Sequence, residues 1–125
     1  MRPHEKLDLW KKAIEFVVAI YKVTEGFPRD EKFGLTSQLR RASVSIVANV
    51  AEGAARRSAK EFRQFLSHSQ GSASEVDTEL VIAHRLTYLK DFDYERLTEQ
   101  LDHIGRMITR LSQSLAKASS FKRTI

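Results

Sequence analysis

The sequence predicts an all-α protein folded as an antiparallel, up-down-up-down four-helix bundle, and three observations carry that prediction. Apolar residues recur at steps of three and four in four separate segments, and no segment alternates apolar with polar residues as a half-buried strand would. The connections between segments are short, so consecutive helices should fold back on one another. The composition agrees: 42% of the 125 residues are hydrophobic and 30% charged, with only five glycines and two prolines, which suits one helical domain and neither a disordered nor a fibrous chain.

The first helix is expected from about Asp8 to Glu25, with Trp10, Ile14, Val17 and Tyr21 as its buried stripe and Ala13 and Ile20 widening it. Gly26, followed by Phe27-Pro28, stops it. Beyond the turn-like PRDEKFG, a second stripe of Leu35, Leu39, Ala42, Ile46, Val50 and Gly53 ends near Ala54-Ala55. Ser58-Ala59-Lys60-Glu61 is a capping box, in which the Ser58 hydroxyl takes the amide of Glu61 and the glutamate reaches back. The third helix that starts there passes through Phe62, Leu66, Ser69, Val76, Leu80 and Ala83 to Leu86, a length of roughly 45 Å at the rise of an α-helix. Asp91-Phe92-Asp93 offers a cap for the fourth, whose Leu97, Leu101, Ile104, Ile108, Leu111 and Leu115 repeat as a coiled-coil-like seam.

Several function classes are excluded by what the chain lacks. Without cysteine there are no disulfides, no thiolate metal sites and no thiol nucleophile, and the expected location is the cytoplasm. The opening MRPHEKLDLW carries charges where a signal peptide needs an apolar core, and no apolar run is long enough to span a bilayer, so no membrane partner is expected. Di-iron helix bundles use Glu-x-x-His pairs, and none occurs; His4, His68, His84 and His103 have no histidine or cysteine at metal-ligand spacing. Gly53 and Gly71 are isolated within helical patterns, so no phosphate loop is formed, and there is no Gly-x-Ser-x-Gly elbow. The expectation is a protein without catalytic activity, metal or cofactor.

Two polar stripes run beside the apolar ones. Gln38, Arg41, Ser45, Asn49, Glu52 and Arg56 are spaced by three and four on the second helix, and His68, Ser72, Glu75 and Glu79 on the third, where Ser69, Gly71, Ser72 and Ala73 would permit close approach. Small and amide side chains dominate the middle of each stripe, which favours a packed contact in which Arg41 or Arg40 pairs with Glu75 or Glu79. Asn49, Glu52 and Gly53 are thus expected to be structural, within one chain or across a subunit boundary. The net charge of +5 suggests a polyanionic partner. Arg56, Arg57, Lys60 and Arg63 at the corner between the second and third helices, Lys11 and Lys12, Lys122 and Arg123 in the tail, and Arg40 in preference to the interior Arg41 are the phosphate-contact candidates. Base stacking has few candidates, Phe121 and Tyr88, and Tyr88 fits better as packing at the end of the third helix.

LDLW near the start, GFP after the first helix, the run GLTSQLRRASVSIVANVAEGAARRS, and EFRQFLSHSQGSASEVDTEL followed by LTYL together resemble the four-helix-bundle proteins encoded in bacterial 23S rRNA intervening sequences. The resemblance covers nearly the whole chain. Where that family often has proline this chain has Val47, a departure that removes a kink and not a function. The resemblance implies a ring-like homopentamer and kinship with the accessory protein of diversity-generating retroelements, which binds both a reverse transcriptase and RNA. In a closed ring, buried polar groups can set the register between unlike faces, which gives Asn49 and Glu52 their second possible partner. Three functions follow as expectations: an oligomer that binds RNA or DNA through a basic face; an adaptor for a reverse transcriptase or another RNA enzyme, in which the same basic face docks an acidic or RNA-loaded partner; and a mobile-element product with no ligand, whose charge serves only solubility.

Overall fold

The computed structural model describes residues 2–124, and the side chains of all of these except 5, 6 and 119–124. Its elements are a 3₁₀ turn Pro3–Lys6, helix α1 Asp8–Thr24, a second 3₁₀ turn Arg29–Glu31, and helices α2 Leu35–Ala54, α3 Ala59–Arg85 and α4 Asp91–Thr124, with no strand among the described residues. All four helices contribute to one core, in which Phe16, Ile20, Leu39, Ile46, Leu66, Leu80, Leu97, Ile104 and Ile108 are sealed from solvent.

Each boundary has a local cause. The end of α1 is closed by Thr24, whose hydroxyl donates to the Ile20 carbonyl at 2.7 Å. Glu31 caps α2 in place of a side chain at Gly34, its Oε1 accepting the Leu35 amide at 3.1 Å. At α3 the capping serine is in place, with Ser58 Oγ accepting from the Glu61 amide at 3.1 Å. The fourth helix starts earlier than expected: the Tyr94 amide donates to the Lys90 carbonyl, so Asp91 and Asp93 lie in its first turn, where their charge meets the helix N-terminus.

The buried stripe of α1 is rotated from the one the spacing suggested. Leu9, Ala13, Phe16, Ile20 and Thr24 face the core, Trp10 and Val17 flank it, and Ile14 and Tyr21 lie at the surface, 37% and 41% exposed. The helix is apolar over more than half its circumference, so periodicity alone allowed two stripes about 100° apart.

α3 ends in a Schellman motif with an unusual residue. The Tyr88 amide donates to the Ala83 carbonyl and the Thr87 amide to the His84 carbonyl, which places Thr87 at the position that glycine normally fills. Its φ is 64°, strained for a β-branched side chain. Thr87→Gly is therefore expected to raise stability by about 1 kcal/mol, the relief of strain exceeding the added freedom of the unfolded chain. A urea midpoint shifted upward with unchanged slope would show it; an unchanged midpoint would contradict it.

The Phe27 ring, just after α1, packs on Tyr88, just after α3, at 5.7 Å between centroids. The α1–α2 and α3–α4 connections thus meet at one end of the molecule. Arg63 near the start of α3 shares a groove with Gln113 and Ala116 of α4 at the other.

Candidate functional site

α2 and α3 meet closely because small residues line their contact. The Ser69 hydroxyl donates to the Ile46 carbonyl at 2.8 Å, and the Ser45 and Ser72 hydroxyls share a hydrogen bond at 2.8 Å. Asn49 turns back on its own helix, Nδ2 donating to the Ser45 carbonyl at 2.8 Å and to Ser45 Oγ at 3.1 Å. Gly53 permits the closest approach, since a Cβ there would stand 2.7 Å from Phe62 Cδ1 and 2.9 Å from Phe65 Cβ. Gly71 plays no such part: it is exposed, and nothing lies within 4 Å of where its Cβ would be.

The expected ion pairs across this contact are not formed. Arg40 spans instead to α1, Nε donating to Thr24 Oγ1 at 2.9 Å and Nη2 to the Tyr21 carbonyl at 3.3 Å, with its guanidinium 4.6 Å from the Tyr21 ring centre. Arg41 is the exposed member of the pair, the reverse of the placement expected from the stripe. Gln38, Glu52 and Glu75 are exposed as well, so of the polar stripes Ser45, Asn49 and Ser72 join the buried Ser69 and Gly53 in the packed centre. The physical reason is the phase of α2: the arc turned to α3 is narrower than the polar stripe, and the long side chains at its edges reach water.

Glu79 is the exception. It is 5% exposed, and its Oε1 has no hydrogen-bond partner. Burial raises its pKa from 4.5 to about 7, and the neighbouring Glu75 charge adds to the rise.

The α2–α3 corner gathers the cations. Arg56 donates from Nη2 to Glu52 Oε2 at 2.9 Å, and its guanidinium lies 4.7 Å from the centre of the Phe65 ring. Arg57, Lys60 and Arg63 are exposed and make no hydrogen bond, ion pair or ring contact with the described residues. Lys117 is exposed close by, following the Ala116 that shares a groove with Arg63. Lys11 and Lys12 are exposed in the first turns of α1, and Lys12 pairs loosely with Glu15 at 3.7 Å. Arg40 lies about 24 Å along α2 from Arg56 and does not join this group. The side chains of Lys122 and Arg123 lie outside those described. The contact of Arg56 with Phe65 has no sequence signal, because the turn between α2 and α3 decides which faces meet. Among the described residues no three histidine, aspartate or glutamate side chains gather as a metal site would need, and no helix is long and apolar enough to cross a membrane.

Fold and corner together define an all-α, four-helix protein whose helix-turn-helix corner presents unpaired arginine and lysine side chains. The chain belongs to the 23S rRNA-intervening sequence protein family, whose family model matches residues 5–110. A solved structure from Bacteroides thetaiotaomicron, described as a protein of unknown function from the S23 ribosomal protein family, shares the fold with a TM-score of 0.75. It is 24% identical in sequence, over 83% of this chain and 97% of that one. No curated protein matches the chain.

Proposed function

We propose that this protein is a non-enzymatic oligomer that binds RNA or other nucleic acid through its cationic corner. In this reading its helices run up-down-up-down, and its copies close as a ring-like homopentamer. The observation that carries it is the set Arg57, Lys60 and Arg63, three cations gathered at one corner with no carboxylate partner among the described residues. Cations left unpaired in this way attract phosphates without reading sequence, and repetition around a ring multiplies a weak patch by avidity.

The test is binding of the purified protein to a structured rRNA fragment and to a DNA duplex of equal length across a salt series, with mass measured by light scattering in the same buffers. Neutralising Arg57, Lys60 and Arg63 together is expected to weaken binding about ten- to a hundredfold and to flatten the salt dependence by about two contacts per copy. Binding that survives this change with the same salt slope would exclude the corner; a pentamer that binds neither molecule at low salt would exclude the function.

A second reading keeps the adaptor for a reverse transcriptase or another RNA enzyme but moves its docking surface from the basic face to the opposite end of the molecule. There Phe33 and Phe92 are 89% and 73% exposed, and Leu86 is also exposed, an apolar end without a covering element. Retention of a protein partner by the corner variant, at salt that abolishes nucleic-acid binding, would favour it.

A further inference from the structure

Beside the cationic corner lies a cleft of about 440 Å³ between the N-terminal turn and the end of α2. Pro3, Ala51 and Ala55 give it apolar walls, and Arg2, His4, Glu52 and Arg56 give it polar ones. Arg56 is held by two contacts, the Glu52 carboxylate, which accepts from its Nη2, and the Phe65 ring, whose centre lies 4.7 Å from its guanidinium carbon. That places a planar cation, already in contact with one aromatic ring, at the border of the cleft.

We infer that this cleft receives an unpaired nucleobase stacked on the Arg56 guanidinium. The inference rests on the nucleic-acid reading above and adds to it which part of the strand enters the protein. Guanidinium planes and aromatic rings are the usual platforms for unstacked bases, and Phe65-Arg56-base would form a continuous stack. Charge alone does not choose the occupant, since Arg2 and Arg56 line the cleft together with Glu52; the apolar walls of Pro3, Ala51 and Ala55 suit the face of a base better than a phosphate, and the Glu52 carboxylate can accept from the N–H groups on a base edge. The phosphates on either side then fall to Arg57 and Lys60, which have no competing carboxylate among the described residues. A base in a duplex has both faces covered by its neighbours, so the slot selects single strands, loops or ends.

The experiment compares an adenine oligoribonucleotide, its deoxyribose counterpart and an abasic oligomer with the same number of phosphates. Trp10, the single tryptophan of the chain, packs against the His4 ring at 5.2 Å and reports on the cleft by its fluorescence. The base-bearing strands are expected to bind about tenfold more tightly than the abasic one with equal salt slopes, and they alone should change Trp10 emission. Arg56→Lys, which keeps the charge and loses the plane, should bring the ratio close to one. Ala55→Leu, which fills the cleft from its exposed edge, should do the same while leaving abasic binding intact. A base-dependent gain in either sugar series upholds the slot, and the ratio of the two identifies the nucleic acid. Equal affinity for the abasic strand would overturn the slot and leave the cationic corner standing; binding of no strand would overturn both.

Discussion

Replacing Gly53 by valine is expected to destabilise the protein by about 3 kcal/mol, because the contact between α2 and α3 has no room for a side chain there. An added Cβ would stand 2.7 Å from the edge of Phe62 and 2.9 Å from the Cβ of Phe65. The Phe62 ring can rotate away, but the Phe65 Cβ is fixed to the α3 backbone, so relief requires the helices to part. Parting them would strain the hydrogen bonds from Ser69 to Ile46 and between Ser45 and Ser72, both of which need the close approach. Gly53→Ala should cost less, since the gain in helix propensity, about 1 kcal/mol, offsets part of the clash. Gly71→Ala is the internal contrast: with nothing within 4 Å of its Cβ, the same propensity gain should appear as a net stabilisation of about 1 kcal/mol. Chemical denaturation of the three variants checks the argument, and equal midpoints for wild type and Gly53→Val would refute it.

The second large effect is a dependence of stability on pH that runs through Glu79. Its folded pKa, about 7, lies above the ordinary 4.5 because burial disfavours the charge and Glu75 repels it. Below pH 4.5 both folded and unfolded chains hold the proton, and the group contributes nothing. Between 4.5 and about 7 the unfolded chain gives up its proton first, so stability falls as pH rises, and above that the loss is complete. A shift of this size corresponds to ~3 kcal/mol, which the nearness of water at Glu75 reduces to about 2 kcal/mol. Glu79→Gln keeps the shape and removes the charge. It should therefore stabilise the protein by about 2 kcal/mol at pH 8 and have little effect at pH 4.5. A Glu79→Gln variant less stable than wild type at pH 8 would contradict this and indicate a cationic partner for the carboxylate.

The helices were legible in the sequence because their signals are local. The Ser58 cap, the stop at Gly26-Phe27-Pro28 and the seam from Leu97 to Ile108 each act within a few residues, and each is found where the spacing places it, although the return bond from Glu61 to the cap amide is not formed. The partners of the polar residues were not legible. Arg40 and Arg41 are neighbours with the same chemistry, and only the angle at which α1 crosses α2 decides that Arg40 reaches Thr24 while Arg41 faces water. Glu52 and Arg56 look like members of an interior stripe, yet they form an exposed pair one turn apart.

By itself, then, the sequence determined the number and order of the helices, the absence of strands from the pattern, the family resemblance and the gathering of cations around residues 56–63, but not the length of α4, which runs past the Leu115 end of its seam through the expected basic tail to Thr124 and exceeds α3. The tertiary structure alone decided which arc of α1 is buried, that Glu79 lies in the interior without a partner, and that Arg56 is clamped between Glu52 and Phe65. The division is physical: helix formation and capping depend on contacts three or four residues apart, whereas the burial of a charge and the choice of its partner depend on how rigid helices rotate about their axes to bury the most apolar surface.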